Sequence, residues 1–453
     1  MNPLDRLETT LRVRGGYRLH GSVPIHGAKN AALPIMAAAL LAHGPTILHG
    51  VPRITDVSVM WSLLEALGAK VRREDDDTLI IDPSGVNTTR APYTLVRKLA
   101  ASFDIVGPLL ARFGLAEVPL PGGCVLGTRA TDMHEDALRA LGADVSHEHG
   151  FFVARARGGM LEGGVINLRM PSVGASKNAM LAAVLARGTT TIRNVAIEPE
   201  VTDLANMLVQ MGARIQGIGG LELVIDGVRE LRGIEYTVIP DRIVAGSFLL
   251  FGAATRGDVT VTNCVPGHLD ILTQKLEECG AKITHGDDWL RIQAEHIHAG
   301  TDIVTAPYPG FPTDLQPQML TFLCTTPGTS VVQENIFNAR FSYINELTRM
   351  GADIRVGMDN NTALVRGGLP LSGAPVEVPD IRAGAGLVLA ALVAEGVTEI
   401  LELQYLDRGY ERLEEMLSSL GAQVQRTSGI TSVMEPVGAF ETSMYPKITP
   451  TTS

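Results

Sequence analysis

The stretch LLEALGAKV (63–71) returns in altered form as ALRALGADV (137–145), MLVQMGARI (207–215), KLEECGAKI (275–283), ELTRMGADI (346–354) and MLSSLGAQV (416–424). The glycines fall at 68, 142, 212, 280, 351 and 421, with successive spacings of 74, 70, 68, 71 and 70. Each copy reads as a helix that ends on a left-handed glycine and runs at once into a strand. Only glycine takes that positive φ without a Cβ penalty. The chain is therefore a six-fold repeat of about 70 residues. Asp56, Asp132 and Asp203 each follow a threonine and are predicted to be N-caps of these helices.

A second motif precedes each of those glycines: an apolar helix, a glycine stop and a β-branched strand. Its copies include AALPIMAAALLAHGPTILHGV, NAMLAAVLARGTTTIRNV, GSFLLFGAATRGDVTVTN and GLVLAALVAEGVTEILEL. Several of these helices are apolar nearly all the way round, which demands burial on every face. A fold with these helices inside and sheets outside satisfies that demand. Because single cores stop growing near roughly 250–300 residues, six units are expected as two groups of three. The expected class is α/β, with two globules and a cleft between them.

Composition narrows the function. The 453 residues are 45% hydrophobic and 19% charged, with a formal net charge of −11 and a pI near 5.5. No basic stripe offers a phosphate footprint, so nucleic acid is not an expected partner. An acidic protein binds anions only where cations gather locally, which makes clustered arginines informative. The four cysteines form no C-x-x-C pair, and zinc chemistry is not indicated. The stretch MNPLDRLETTLRVRGG has no apolar h-region, so a secretory signal is not expected there, and the longest apolar run is too short to span a bilayer. A reducing cytoplasm is the expected compartment.

Seven motifs then stand in order: HGAKNAALPIMAAALL, PLPGGCVLGTRATDMH, MPSVGAS, FPTDLQ, NARFSYINELTRMGA, DIRAGAG and LDRGYERLEEML. In that order, on a six-fold repeat, the sequence resembles the enolpyruvyl transferases, and within them the branch that acts on UDP-N-acetylglucosamine. The resemblance implies two inside-out α/β barrels, each of three βαβαββ-type repeats. It implies transfer of the enolpyruvyl group of phosphoenolpyruvate to the 3′-hydroxyl of UDP-N-acetylglucosamine, with release of phosphate, no metal and no organic cofactor. The first strand (1–24) is expected with the C-terminal half, residues 25–238 as the first globule and 239–426 as the second. The tail 427–453, rich in Ser, Thr and Pro, is expected to be flexible, and a monomer is favoured.

The motifs also have readings of their own. Lys29 and Asn30 stand just before an apolar helix whose Pro34 suits a first turn. Free N–H groups and a lysine there suit a phosphate or carboxylate, or the lysine is merely solvated; the resemblance implies contact with phosphoenolpyruvate. Cys264, Cys279 and Cys324 read as buried small hydrophobes. Cys124 differs, since PGGC is no packing site and Arg129 nearby would lower its pKa. In the family this loop closes over the substrates, its cysteine acts as acid toward the methylene carbon, and a fosfomycin-type epoxide is expected to alkylate it.

The stretch Arg129, Ala130, Thr131, Asp132, Met133 and His134 is implied to line the nucleotide site, with Arg129 also reaching the donor phosphate. Arg169, Met170, Ser172, Val173 and Gly174 are implied to hold the diphosphate and uridine, and Ile336 to touch the nucleotide through its backbone. Asp314 reads alone as an N-cap; the resemblance makes it the general base toward the sugar hydroxyl. Arg340, Arg382 and Arg408 come from three successive repeats, each near a helix start, and suggest convergence on one anion. The family binds the donor's carboxylate and phosphate with them.

Two positions depart from the pattern. Ala100 stands where the family usually has an arginine, one helical turn after Arg97, and Met170 replaces a frequent lysine. Both lie on the acceptor side. A second reading therefore keeps the fold and donor but takes another hydroxyl acceptor, such as a nucleoside phosphate. A third is a silent paralogue that binds the sugar nucleotide without turnover.

Overall fold

The computed structural model describes residues 9–120, 131–338 and 340–428. The chain divides into two compact units, one of His26–Asp241 and one of the residues up to Ile25 together with those from Arg242 onward.

The 26–241 unit is built from three inner helices, Lys29–Ala38, Val106–Phe113 and Val173–Ala183. In the first, every residue but Asn30 is buried, as its all-round apolar sequence requires. Three outer helices, Thr55–Ala66, Asp132–Ala140 and Pro199–Met211, bury one side only. Around them lie three sheets of related pattern. One orders the strands Glu235–Thr237, Thr46–His49, Leu79–Asp82 and Lys70–Arg73. Its first pair is parallel and the rest antiparallel. The sheet Val165–Asn167, Thr189–Arg193, Glu222–Asp226, Arg214–Gln216 repeats that order and sense. The third, Leu115–Pro119, Phe151–Ala156 and Ala143–Glu148, is joined in parallel by a bridge from Arg90 to Glu117. The last strand of the unit thus completes its first sheet and closes the ring of repeats.

The other unit repeats the scheme with inner helices Arg242–Ala254, Gln316–Cys324 and Ile381–Val393. Its closure comes from the start of the chain. Thr9–Arg14 lies between Val397–Leu401 and Gln423–Ser428, antiparallel to both. It fills the place that a repeat's own return strand takes elsewhere. His20–Pro24 then runs parallel to Asp258–Thr262. A buried polar network ties two inner helices together: Gln318 Nε2 donates to Ser247 Oγ (3.1 Å) and to Tyr410 Oη (3.2 Å), and Ser247 meets Tyr410 at 2.8 Å. With its partners present, such a network favours one packing over alternatives.

All six repeat glycines have positive φ, from 81° to 112°. The three described cysteines are buried, and burial pushes their thiols up to about 11, 11 and 12 for Cys264, Cys279 and Cys324. No described helix is long and apolar enough to cross a membrane.

Several local expectations are corrected. The first inner helix starts at Lys29, so Pro34 lies inside it rather than in its first turn. The helix tolerates this because the carbonyl of Asn30, which a proline cannot serve, accepts from Lys177 Nζ at 3.5 Å. None of the three aspartates is an N-cap. Asp203 sits mid-helix and accepts from Tyr236 Oη at 2.6 Å, tying the outer helix to the closing strand. Burial pushes its carboxyl up to about 6. Asp56 is in the first turn, where it pairs with Lys29, and Asp132 is the first residue of its helix. Thr427 and Ser428 still belong to a strand, paired with Thr10 and Thr9; residues 429–453 lie outside the described ones.

The repeat glycines give a graded test. At Gly212 (φ 112°) an added Cβ meets nothing within 4 Å, whereas at Gly68 (φ 104°) it would stand 2.4 Å from the Gly85 carbonyl oxygen. Gly212→Ala should cost only the backbone strain, on the order of 1–3 kcal/mol. Gly68→Ala should cost clearly more, read from urea midpoints. Equal costs would contradict the packing argument.

Candidate functional site

In the unit completed by the chain start, two buried arginines meet one carboxylate. Asp380 caps the inner helix Ile381–Val393, its Oδ1 accepting from the backbone N–H of Arg382 (2.9 Å) and Ala383 (3.1 Å). That cap holds Arg382 at the first turn, where its Nε and Nη2 donate to Asp314 Oδ2 at 3.1 and 2.8 Å. Arg340 approaches the other oxygen, with Nη2 3.6 Å from Oδ1, and also donates to the Thr313 carbonyl at 3.3 Å. Its guanidinium lies over the Phe337 ring, 5.5 Å from the centroid. The arginine side chains are 2% and 6% exposed, the Asp314 side chain 26%. The guanidinium groups are thus fixed by the core, and the carboxylate is the member open to solvent.

Asp314 is no N-cap. It lies in the 3-10 turn Thr313–Leu315, and Leu315 precedes the helix without a side-chain cap. Arg408 ends the turn Leu406–Arg408, which packs on the same inner helix: a Cβ on Gly409 would stand 2.6 Å from Ile381 Cγ2 and 3.7 Å from Arg382 Nη1. The neighbouring Asp407 is taken by Arg426, at 2.7 Å.

Glu334, buried, organises this region, and the sequence reading missed it. Its Oε1 accepts from Thr305 Oγ1 and from the backbone N–H of Ile336 and Phe337. Its Oε2 accepts from Thr313 Oγ1 at 3.0 Å. The Ile336 N–H is therefore already engaged, which leaves the carbonyl for any backbone contact.

In the 26–241 unit, polar groups collect at the starts of the inner helices. Lys29 Nζ pairs with the buried Asp56 at 2.8 Å, and its N–H donates to Asp241 Oδ2 at 3.0 Å. Lys177 Nζ stands 3.8 Å from Asp104 Oδ2. Asn178 donates from Nδ2 to the Phe103 carbonyl and to His134 Nδ1, at 3.1 and 3.2 Å, and accepts from the Gly107 N–H. Because Asn178 donates, His134 Nδ1 must accept, so the imidazole is neutral with its proton on Nε2. The ring packs edge-on to Phe103 and against Gly174, where a Cβ would come within 3.2 Å. Desolvation pushes His134 down to about 4, against the opposing pull of Asp132.

Asp132 pairs with Arg169, whose hydrogen bond holds the carboxyl below its usual range. Thr131 donates to Glu135 Oε1 at 3.0 Å, and Met133 packs against the core. Ser172 caps the helix Val173–Ala183, accepting from the Ala175 N–H at 3.4 Å. Arg97 is exposed at the end of the short helix Tyr93–Val96, Ala100 opens the 3-10 stretch Ala100–Ile105, and Met170 is 47% exposed. Cys124, Arg129 and Ala130 lie outside the described residues.

Lys177, Asp104 and Asn178 were also missed. A signal existed: GAKNAAL (27–33) returns as GASKNAML (174–181), placing a Lys-Asn pair near the start of two inner helices, at the first residue of one and about a turn further into the other.

A family model described as EPSP synthase (3-phosphoshikimate 1-carboxyvinyltransferase) matches residues 13–417. The chain is 48% identical to a UDP-N-acetylglucosamine 1-carboxyvinyltransferase of a Psychrobacter species, over 93% of this chain and 98% of that one. It is equally 48% identical to the protein of that name in Gloeobacter violaceus, over 94% and 92%. Among solved structures it resembles the enolpyruvyl transferase NikO from Streptomyces tendae, with a TM-score of 0.83 and 26% identity, covering 94% of this chain and all of that one.

The neutral imidazole yields a pH test. A group whose folded pKa is depressed to about 4 favours the unfolded state once that state takes up a proton, below about 6.5. Stability linked to His134 is therefore complete above pH 6.5 and falls toward pH 4, by on the order of 2–3 kcal/mol. His134→Asn keeps an acceptor for Asn178 and should lack this component. Identical pH slopes in urea denaturation of the two proteins would refute the assignment.

Proposed function

The chain belongs to the enolpyruvyl transferase family, and on that premise we propose that it transfers the carboxyvinyl group of phosphoenolpyruvate to the 3′-hydroxyl of UDP-N-acetylglucosamine, releasing phosphate. The observation that carries the reading to the residues is the pair Arg340 and Arg382 held on Asp314. Two buried cations on one carboxylate form a ready cradle for a small dianion or trianion.

In the proposed mechanism the sugar oxygen attacks C2 of the donor and a proton adds to C3, giving a tetrahedral ketal. Loss of phosphate and of a C3 proton then restores the double bond. The donor's anionic groups compete with Asp314 for the two guanidinium groups. Donor binding thus turns Asp314 from an internal counter-ion into an acceptor for the hydroxyl proton. Lys29, Asn30, Arg129 and Arg408 complete the hold on the donor, and Cys124 supplies the proton to C3. Arg97, Ala130, Thr131, Asp132, Met133, Arg169, Met170, Ser172, Val173, Gly174 and Ile336 form the acceptor side. The protein's share is orientation and fixed charge. The corresponding place in the cell is the cytoplasm, at the entry to peptidoglycan synthesis, with fosfomycin as an alkylating inhibitor.

A phosphate-release assay with a panel of hydroxyl acceptors tests this. Turnover should require phosphoenolpyruvate and be highest with UDP-N-acetylglucosamine; turnover only with a nucleoside phosphate, or none at all, would overturn it. Asp314→Asn should lower kcat by roughly 10²–10⁴-fold while leaving donor affinity equal or tighter, because a competitor for the arginines loses its charge. Cys124→Ser should escape epoxide alkylation, measured as a lost mass adduct.

A further inference from the structure

The inner helix Val173–Ala183 carries a buried cation that the mechanism above does not use. Lys177 is 8% exposed in its side chain and Asp104 6%, yet their charged atoms stay 3.8 Å apart. The other partner of the ammonium is the Asn30 carbonyl, at 3.5 Å. Neither contact is as short as a charge-assisted hydrogen bond, about 2.7–2.9 Å. A buried pair so loosely matched does not repay its desolvation, and an apolar pair of similar volume is often as stable or more so. Its structural duties are thus two loose contacts, one of them to the carbonyl that Pro34 leaves without a helix donor.

Its position suggests another use. The Asn30 carbonyl lies in the first turn of the helix Lys29–Ala38, so the ammonium of Lys177 stands beside the residue that follows Lys29. Two repeats thereby bring Lys-Asn pairs to one place, each lysine accompanied by a carboxylate on a neighbouring element. Asn30 is half-buried, so this edge is not sealed in the core. A lysine on a flexible stem, weakly held, can swing to an anion that binds better.

We propose that Lys177 binds a phosphate oxygen of a substrate alongside Lys29, with Asp104 as its counter-ion in the empty site. The inference rests on the proposed reaction, whose donor carries a phosphate monoester and whose acceptor carries a diphosphate. Asn178, the next residue, keeps His134 neutral through its Nδ2–H, so no second cation from that ring competes for the anion.

Lys177→Met alone would strip the buried Asp104 of the ammonium that faces it at 3.8 Å. The decisive variant is therefore Asp104→Asn with Lys177→Met, which removes both charges. It should melt within a few degrees of the parent, keep kcat within a few-fold, and raise KM for phosphoenolpyruvate roughly tenfold or more. Lys177→Arg, which preserves the charge, should recover much of that loss. A rise in KM for the UDP-sugar instead would assign the phosphate to the acceptor and still support the lysine's role. A folded double variant with both KM values within twofold of the parent would overturn it. If the parent itself shows no turnover, the reaction is at fault; calorimetric binding of phosphoenolpyruvate and of uridine diphosphate to parent and double variant then decides Lys177. Weaker binding of either to the variant supports the proposal, and equal binding of both rejects it.

Discussion

A helix that is apolar on every side has nowhere to go but the interior. Lys29–Ala38, Arg242–Ala254 and Ile381–Val393 each bury nearly every residue, and the rest of each unit is arranged to make that possible. Three such helices leave their own polar backbone satisfied, so sheets and half-exposed helices need only wrap them. Small residues permit close approach, as at Gly386, where an added Cβ would stand 3.1 Å from the Pro317 carbonyl oxygen and from Thr321 Oγ1. Closing the wrap requires a strand from far along the chain in both units: Glu235–Thr237 in one and Thr9–Arg14 in the other.

The same constraint concentrates chemistry at the helix starts. Along the middle of an inner helix a charge would have no water and no partner. At its first turns, unsatisfied N–H groups and neighbouring loops supply partners. Lys29, Lys177 and Arg382 all occupy such turns, and each is matched by a carboxylate from another element. These cations are rigidly based and far apart in sequence because each sits near the start of an inner helix of a different repeat. The carboxylates that accompany them supply the counter-charge that burying a cation demands.

Legibility followed the range of the interactions. The glycines at 68, 142, 212, 280, 351 and 421 were readable because a positive φ after a helix is a local demand that one residue type meets. The apolar all-round helices were readable because periodicity is local too. Asp203 was misread as a cap since Thr-Asp is a common helix start, and nothing local reveals that Tyr236, 33 residues on, claims its carboxylate. Pro34 was misplaced for a similar reason: the lysine that serves the stranded carbonyl comes from position 177. Asp314 looked like another cap until Arg340 and Arg382 were seen on either oxygen.

The sequence by itself determined a six-fold α/β repeat, its turn points, its buried helices and, through motif order, its family. Glycine backbone freedom and hydrophobic period act within a few residues, so they survive in one dimension. Only the tertiary structure decided which charges face one another. Pairing Lys177 with Asp104, or Arg382 with Asp314, depends on helices and turns from different repeats packing side by side, and Coulomb and hydrogen-bond energies depend on distance in space rather than along the chain.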